Sequence, residues 1–403
     1  MSSMLAGLRV IEGSAFVAAP SGGMHLALLG ADVIRFDPIG GSIDYTRWPL
    51  APGGASLYWT SLNKGKRSIQ VDLRSEEGKD IVRGLVGAPG ENGGMFLTNF
   101  PARGWLSYDE LRRERQDLIM VAITGNPDGS TAVDYTVNAA VGYPSATGPV
   151  QVAEPVNHVL PAWDVICGQQ AALGLVAADR HRQLHGEGQL ITLALSDVAM
   201  STVANMGHIA EAQILGEQRQ RLGNDLYGAF GRDFVTSDGD RFIVVAISAK
   251  QWTGLLAATG TTEAVAALEA ELGVDFRDEG ERFNHRDRLF ALVEDYAKRS
   301  TMEQVATAFD ANHCCWGRYS DFLGMVENDA RCSTANPMFQ QVHQPGVGTV
   351  LSAGSPLRFG ADSETVVPPA PLLGADTDQI LEELLGLSTT EIAKLHDRGV
   401  VAG

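Results

Sequence analysis

The sequence predicts an α/β protein with a large, Rossmann-like, doubly wound domain and a smaller α+β domain. The chain has 403 residues, more than one simple core usually holds. It opens with an apolar run at residues 8–12, a helical segment at 20–29 and a second apolar run at 32–37. This strand–helix–strand order implies a parallel sheet, and the pattern changes near Gly223. These observations place the large domain at residues 1–215.

The same alternation continues through the large domain. Pro20 lies in the first turn of the first helix, where a missing N–H is tolerated. Strands are expected at residues 8–12, 32–37, 68–73, 94–98, 118–123 and 189–195, and helices at 20–29, 76–85, 164–182 and 197–215.

The predicted small domain spans residues 223–325. It should contain a hairpin whose turn is Asp238-Gly239, because this pair favours a tight reversal. Its strands are expected at 226–235 and 241–246, and its helices at 250–258, 262–272, 284–299 and 302–312. Residues 330–403 are predicted as a proline-rich, loop-like connector that returns to the large domain and ends in helices at 376–385 and 388–397. Ser388 and Glu391 have the spacing of a capping box at the start of the last helix.

Composition argues against several classes of partner. The net charge of −18 argues against nucleic acid, because a phosphate backbone needs a basic face. No run of about 18 apolar residues occurs, so no membrane span is expected. Residues 1–6 have no basic or long apolar segment, so no secretory signal is expected. The four cysteines have no CxxC spacing, which predicts free thiols and a cytoplasmic protein.

A group of cations lies in the first quarter of the chain. Such a group either concentrates a small polyanionic ligand or forms an ordinary solvated surface, and charge alone favours the solvated surface. The group consists of Arg35, Lys64, Lys66, Arg67, Arg74 and Arg103.

The turn after the first strand does not match a dinucleotide-binding site. The GxGxxG fingerprint needs several glycines, but Gly13 is the one glycine in residues 13–20. A nicotinamide cofactor is therefore not expected. The backbone amides of Phe16, Val17 and Ala18 remain suited to an anion or oxyanion beside the helix start.

Other catalytic patterns are weak or missing. His181 and His185 have the spacing of a metal pair, but no glutamate completes an HExxH motif, and histidines at a helix end are the better interpretation. Cys314 and Cys315 suggest a reactive thiol or, more commonly, buried free cysteines. No GxSxG and no P-loop occurs in the sequence, which argues against common hydrolases and nucleotidases. No metal site is predicted.

Asp164 follows Pro161 and opens an apolar-rich helix. An aspartate at this position is most simply an N-cap that accepts a hydrogen bond from the first turn. The alternative is a carboxylate that the helix dipole holds ionised and that attacks an activated carbonyl. Position alone favours the N-cap.

Several segments, in order along nearly the whole chain, resemble the class III CoA-transferases. No single segment is diagnostic, and the ordered set carries the resemblance. The segments are Gly30-Ala31-Asp32-Val33-Ile34, Asn63-Lys64-Gly65-Lys66-Arg67-Ser68 with Asp72-Leu73, Thr98-Asn99-Phe100, Asp164 on its helix, Gly186-Glu187-Gly188-Gln189, Gly223-Asn224 and Ala370-Pro371-Leu372-Leu373-Gly374.

The resemblance implies site residues and a quaternary structure. Asp164 takes the position of the family's catalytic aspartate, which carries CoA as a thioester. The other expected residues are Phe16, Val17 and Ala18 as oxyanion donors, Tyr227 and Gly228 as substrate contacts, and Val71, Arg74, Asn99, Phe100 and Arg103 as CoA contacts. The resemblance also implies an interlocked homodimer, in which each subunit threads through the other. No cofactor is expected beyond the CoA of an acyl-CoA substrate.

Further stretches resemble family members that move CoA between the two carboxyls of one small diacid. These stretches are residues 10–20, 99–111, 157–164 and 225–234. Many intermolecular relatives have Gln at Val17 and Ala-Gly-Pro at Ala18-Ala19-Pro20. Relatives that racemise 2-methylacyl-CoA thioesters have His at Val133, and a valine cannot carry a proton. Intramolecular CoA transfer is therefore predicted, with intermolecular transfer, a racemase-like lyase and CoA binding without chemistry as alternatives.

Overall fold

The structure, a computed structural model, describes residues 4–360 and 366–403. Residues 1–3, part of the segment inspected for a secretory signal, and residues 361–365, part of the predicted connector, lie outside the described residues. The chain forms two compact units. The first contains the chain up to residue 141, residues 158–214 and residues 330–403, and the second contains 142–157 and 215–329. Residues 142–157, which the sequence analysis placed in the large domain, thus belong to the second unit.

The strands are β1 Arg9–Gly13, β2 Asp32–Asp37, β3 Arg67–Val71, β4 Met95–Thr98, β5 Ile119–Thr124, β6 Leu190–Ala194, β7 Phe230–Val235, β8 Arg241–Ala246, β9 Cys315–Arg318, β10 Phe339–Gln344, β11 Gly348–Ala353 and β12 Val401–Ala402. The helices are α1 Ala18–Leu28, α2 Leu57–Leu62, α3 Glu76–Gly87, α4 Tyr108–Glu114, α5 Asp134–Ala140, α6 Tyr143–Ala146, α7 Ala162–His185, α8 Leu195–Asn205, α9 His208–Leu215, α10 Ala249–Thr259, α11 Thr262–Leu272, α12 Glu279–Asn284, α13 Arg286–Arg299, α14 Met302–Ala311, α15 Phe322–Asn328, α16 Thr377–Leu385 and α17 Thr389–Asp397. Two short 3₁₀ helices span Gly104–Leu106 and Ala330–Cys332.

The first unit is built on a seven-stranded sheet in the order β12-β3-β2-β1-β4-β5-β6. All neighbours pair in parallel except β12, which runs antiparallel to β3. The strand order reverses between β1 and β4, as in doubly wound sheets. The predicted α/β, Rossmann-like fold is therefore confirmed.

Helices cover both faces of this sheet, which explains why its central strands are apolar along most of their length. On one face, α3, α16 and α17 pack against Ile34, Phe36 and Phe96. On the other face, α1 lies against Val33 and Leu97. No helix within residues 4–360 and 366–403 is long and apolar enough to cross a membrane.

Glycines allow α1 and α7 to cross at close range. A Cβ on Gly168 of α7 would lie 2.1 Å from the Ser21 Oγ and 2.6 Å from the Ala18 carbonyl oxygen. A Cβ on Gly22 of α1 would lie 2.9 Å from the Gly168 carbonyl oxygen. Any side chain at these positions would push the helices apart. The crossing brings the first turns of both helices together, and Asp164 lies in the first turn of α7.

The second unit contains the antiparallel sheet β7-β8-β9 and an aromatic core. The β7–β8 hairpin turns at Gly239, whose φ of +88° suits glycine. Its first strand begins at Phe230, later than predicted, and helix α12 was not predicted. Core rings pack against each other, such as Phe242 against Phe309 at a centroid distance of 5.5 Å.

Two predictions of secondary structure were wrong. The single helix expected at 197–215 is two helices, α8 and α9, because Gly207 adopts a φ of +80° between them. The connector predicted as loop-like contains the antiparallel hairpin β10–β11, which reverses at Gly346 with a φ of +74°. The prolines on either side of this hairpin obscured its strands in the sequence. The chain then returns to the sheet, where Val401 pairs with Val71.

Candidate active site

A cavity of about 560 Å³ lies at the carboxyl ends of β1, β4 and β5 in the first unit. This place includes the point where the strand order reverses, the usual ligand site of a doubly wound sheet. Its lining includes residues 16–18 after β1, Asn99 after β4, Thr124 at the end of β5, and Asp164. The structure therefore brings five of the predicted residues into one cavity: Asp164, Phe16, Val17, Ala18 and Asn99.

Asp164 is the third residue of α7 and is not its N-cap. The N-cap is Pro161, which has no capping side chain. The free amides of the first turn donate instead to Oδ2 of Asp134, at 2.8 Å from Trp163 N and 3.2 Å from Asp164 N. Asp134 thus caps α7 from another helix, α5. Within the described ranges, no group donates a hydrogen bond to the Asp164 carboxylate, which is left available for chemistry.

The surroundings of Asp164 disfavour its charged form. Burial in the cavity wall, and secondly the nearby Asp134 carboxyl, raise the pKa of Asp164 to about 7. Asp134 is 1% exposed, and its Oδ1 has no hydrogen-bond partner in the part of the chain that the structure describes. From its position in the sequence, Asp164 is interpreted either as an N-cap or as a carboxylate that the helix dipole holds ionised. The raised pKa is opposite in direction to the effect of the dipole.

The turn after β1 is held in a strained conformation. Phe16 has a φ of +66°, in the left-handed region. Its amide donates to Asp44 Oδ2 at 2.9 Å, and the neighbouring Ala15 amide donates to Asn99 Oδ1 at 2.9 Å. The Phe16 amide, predicted as an oxyanion donor, is therefore already occupied. The amides of Val17 and Ala18 have no acceptor among the described residues, as is usual at a helix start.

A buried ionic network supports this turn. Arg35 donates to both carboxylate oxygens of Asp37 at 2.9 Å and to Asp44 at 3.2 Å. Lys66 pairs with Glu12 at 2.7 Å. Burial lowers the pKa of Lys66 to about 8, against the opposing effect of Glu12. Arg35 and Lys66 are therefore neither solvated nor free for a ligand, although the sequence analysis considered only those two possibilities.

Apart from Asn99, the predicted CoA contacts lie outside this cavity, at the same edge of the sheet. Val71 ends β3 and is fully buried, and Phe100 packs against Phe36 at 6.1 Å between ring centroids. Arg74 is almost fully exposed, 3.3 Å from Asp72, and Arg103 is also exposed. Binding of CoA by these residues stays a prediction.

Tyr227 and Gly228 belong to the second unit. The Tyr227 ring is half exposed, with the Arg219 guanidinium 4.1 Å from its centroid and Phe283 at 5.2 Å. Gly228 has a φ of +79°, which suits a turn glycine. Their predicted contact with substrate stays a prediction.

The cavity also contains residues that the sequence did not single out. Asp134, Arg47 and Tyr58 all line it. A signal for Asp134 was present, since it directly follows Val133, the position compared with the histidine of racemising relatives. Arg47 and Tyr58 lie in a segment without clear periodicity and gave no signal.

The other candidate clusters contribute no metal site in the part of the chain that the structure describes. The rings of His181 and His185 lie 4.4 Å apart near the end of α7. The described cysteines are free. Cys315 is exposed, which contradicts the preferred interpretation of a buried pair with Cys314.

The known proteins that this chain resembles in sequence and in structure indicate a single family. The sequence profile described as CoA-transferase family III matches residues 5–377. The chain is 54% identical to 2-methylfumaryl-CoA isomerase of Chloroflexus aurantiacus, over 100% of this chain and 99% of that protein. It is 28% identical to succinyl-CoA–D-citramalate CoA-transferase of the same organism, over 98% and 97% of the two chains. A crystal structure of a CAIB/BAIF family protein from Brucella suis superimposes with a TM-score of 0.78, at 25% identity, and covers 95% of this chain and 100% of that one.

Proposed function

This chain belongs to CoA-transferase family III, and from that membership we propose that it moves CoA between the two carboxyls of one diacid, converting 2-methylfumaryl-CoA to 3-methylfumaryl-CoA. Similarity along the whole chain to an isomerase of that name supports the substrate. The observation that carries the chemistry is the Asp164 carboxylate, which lines the cavity at the switch point and has no hydrogen-bond partner among the described residues.

The proposed reaction starts with attack of the Asp164 carboxylate on the C1 thioester carbonyl. The C–S bond breaks, the CoA thiolate leaves, and a mixed anhydride forms. The thiolate then attacks the aspartyl carbonyl of the anhydride, which gives an aspartyl-CoA thioester and a free dianionic diacid. The C4 carboxylate attacks this thioester and expels the thiolate, which gives a second mixed anhydride. The thiolate then attacks the C4 carbonyl of that anhydride, which forms the new thioester and releases the Asp164 carboxylate. Bonds of the same types break and form, so the transfer needs no external energy source.

The cavity supplies what these steps require. The tetrahedral oxyanions need preorganised donors, and the Val17 and Ala18 amides at the start of α1 are free for that role. The anhydride must be shielded from water, since hydrolysis would end the cycle. Val133 lines the cavity without a group that can carry a proton, which disfavours racemisation.

We assign the CoA moiety to the residues that follow β3 and β4. Exposed Arg74 and Arg103 suit its phosphates, because guanidinium groups bind phosphate oxygens in bidentate fashion. The partly buried ring of Phe100 provides an apolar surface in the same loop as Arg103, while Val71 is fully buried at the end of β3, from which the chain leads to Arg74. The side-chain amide of Asn99 both donates to and accepts from Ala15, so its main role is to hold the turn after β1. Tyr227 and Gly228 are proposed as substrate contacts.

We further propose a homodimer of the interlocked type. Consecutive elements expose apolar side chains, among them Leu184 at 60%, Leu190 at 42%, Met206 at 64% and Ile214 at 81%. Helix α9 has no buried residue at all. Apolar side chains exposed on several consecutive elements are expected where another protein chain covers them. Light scattering should give twice the chain mass, and Ile214→Glu should shift the mass towards the monomer.

Hydroxylamine trapping tests the covalent mechanism. Turnover of 2-methylfumaryl-CoA in its presence should place a hydroxamate on Asp164, detectable by peptide mass. Asp164→Ala is the control and should give neither hydroxamate nor isomerisation. Isomerisation that survives this substitution contradicts the mechanism.

Isotope exchange separates intramolecular from intermolecular transfer. The enzyme is incubated with unlabelled 2-methylfumaryl-CoA and labelled free 2-methylfumarate. We expect the CoA esters to isomerise without gaining label. Ready incorporation of label would instead establish an intermolecular transferase.

A further inference from the structure

Arg47 is the one cation in the described lining of the cavity that contains Asp164. It lies in the segment between β2 and α2. Its guanidinium carbon is 5.5 Å from the centroid of the Phe16 ring and 5.2 Å from that of Tyr58, and both rings also line the cavity. Among the described residues, no carboxylate pairs with this guanidinium. Its donors are thus positioned by the two rings and left open to a ligand.

The charges of the cavity make such a cation necessary for a diacid. Its lining contains the carboxyl groups of Asp134 and Asp164. When the diacid is released, Asp164 is an uncharged thioester, but the two carboxylates of the diacid then lie in the same cavity as Asp134. Like charges within one cavity repel strongly, since the surrounding protein screens them less than water does. A dianion therefore stays in this cavity only if a cation binds it. Arg47 is the group available.

Tyr58 adds a neutral donor beside Arg47. Its ring is half-buried and lies beneath the guanidinium. Burial, together with the neighbouring acids, raises the pKa of Tyr58 to about 12 against the opposing effect of Arg47, so its hydroxyl keeps its proton at neutral pH. A protonated hydroxyl can donate to a carboxylate oxygen. Arginine and tyrosine together form a carboxylate-binding pair.

We propose that Arg47 binds the carboxylate of the acyl group that is not joined to CoA, and that it is the residue that selects dicarboxylic over monocarboxylic thioesters. This inference deepens the proposed function and rests on it. A planar guanidinium binds a carboxylate through two parallel N–H donors, which fixes the direction of the acyl chain as well as its charge. After CoA has moved to Asp164, the same contact retains the freed diacid until its second carboxylate attacks.

The test compares two thioesters that differ in one group. In tiglyl-CoA, a methyl replaces the C4 carboxylate of 2-methylfumaryl-CoA, and the geometry of the double bond is the same. Both substrates can acylate Asp164, so hydroxylamine trapping at Asp164 measures the same step for each. The readout is the ratio of the second-order trapping rates, 2-methylfumaryl-CoA over tiglyl-CoA.

Arg47→Gln should lower the trapping rate with 2-methylfumaryl-CoA by about 10²-fold or more, because a charged hydrogen-bonded pair is lost. The loss with tiglyl-CoA should be at least about tenfold smaller, so the ratio falls. Arg47→Lys keeps the charge but not the bidentate geometry, and its ratio should fall less. This milder variant also provides the test if Arg47→Gln does not fold. Arg113→Gln, which removes an exposed cation from α4, is the matched control and should leave the ratio unchanged.

Retention of the diacid gives a second readout. With labelled 2-methylfumaryl-CoA, Arg47→Gln should release labelled free diacid during turnover, and the unsubstituted protein should release far less. Equal losses with both thioesters would show that Arg47 only supports the Phe16 turn and would overturn the inference, as would an unchanged ratio. If the unsubstituted protein gives no hydroxamate at Asp164 with either thioester, the proposed function itself fails, and the inference falls with it.

Discussion

Two groups of acids, one buried and one only partly buried, lie in the first unit, and they differ in whether a cation accompanies them. Glu12, Asp37 and Asp44 are each paired with a buried cation, Lys66 or Arg35. Asp134 and Asp164 pair with no cation in residues 4–360 and 366–403, and the nearby Asp134 carboxyl raises the pKa of Asp164 further. Removing a partner from a buried pair is costly, which suits the first group to a structural role.

The difference indicates that the paired acids support the structure of the site and that the unpaired acids serve its chemistry. The paired group fixes the turn after β1 through the bond between Asp44 and the Phe16 amide. The unpaired group stores electrostatic repulsion at the place where a carboxylate must react. In the proposed mechanism, acylation of Asp164 removes its negative charge, so formation of the covalent intermediate would relieve that repulsion. Acids whose pKa is strongly perturbed by burial and by a neighbouring acid are typical of catalytic sites.

Asp164→Asn should have the largest effect on activity, a loss of about 10³-fold or more, because the nucleophile is gone. It should also stabilise the protein at pH 8. Folding raises the pKa of Asp164 from 3.8 to about 7, so the folded protein binds a proton here more tightly than the unfolded chain does. The contribution of this proton to the free energy of unfolding is fully present below pH 3.8 and is lost as pH rises through about 7. Asn is neutral at every pH and avoids that loss, so Asp164→Asn should raise the free energy of unfolding at pH 8 by as much as about 4 kcal/mol.

Urea unfolding at pH 8 and pH 4 measures this stability effect. The gain from Asp164→Asn should be large at pH 8 and small at pH 4. Asp109→Asn, an exposed substitution on α4, should change stability little at either pH. Equal stability of Asp164→Asn and the unsubstituted protein at pH 8 would contradict the description of Asp164 as a destabilising charge.

Lys66→Met removes the cation that pairs with buried Glu12. The substitution should lower the free energy of unfolding by about 3–5 kcal/mol, because Glu12 is left buried without a cation. Chemical denaturation of the purified protein measures this cost. Lys79→Met provides the comparison, since Lys79 pairs with exposed Glu76 on α3 and should be worth less than about 1 kcal/mol. Similar costs for both variants would mean that the buried pair has no special role.

Asp134→Asn tests the coupling between the two unpaired acids, because it removes the carboxyl group beside Asp164 but keeps a side-chain oxygen that can cap α7. Its amide oxygen can still accept from the Trp163 and Asp164 amides, so α7 should stay in place. With a neutral neighbour, the pKa of Asp164 falls, and its carboxylate form persists to lower pH. The acid limb of the kcat/KM profile should therefore move to lower pH, and the rate at pH 8 should be a few-fold lower, because a less basic carboxylate is a weaker nucleophile. An acid limb that does not move would show that the two acids are not coupled.

Asp44→Asn should have the smallest effect. An Asn oxygen can still accept from the Phe16 amide, and Arg35 keeps its bidentate contact with Asp37. We expect a loss of about 1–2 kcal/mol in stability and a decrease of a few-fold in kcat. Asp44→Ala, which leaves the Phe16 amide without an acceptor, should decrease kcat more. If both variants have the same kcat, the turn does not depend on this hydrogen bond.

The sequence predicted the fold well where the pattern was local. The strand at 32–37 matches β2, and the helix at 262–272 matches α11. The split between α8 and α9 was missed because a glycine in a helical pattern is usually tolerated, and only the φ of Gly207 shows the break.

The site was predictable only in part. Family motifs pointed to Asp164 and to the turn at residues 16–18. They gave no role to Asp134, which caps a helix whose start lies about 30 residues along the chain. Contacts of this kind depend on packing and leave no periodic signal. Arg47 was not predicted for a similar reason: its guanidinium lies over the rings of Phe16 and Tyr58 only in the folded loop.

The antiparallel strand β12 has a consequence for synthesis of the protein. Val71 of β3 is made 330 residues before Val401, its partner in the sheet. At roughly 5–20 residues per second, the ribosome leaves this side of β3 uncovered for about 15–65 seconds. An uncovered strand can pair with another chain. Each newly made chain thus has a period in which a chaperone or a neighbouring nascent chain can reach the sheet before its own β12 pairs with β3.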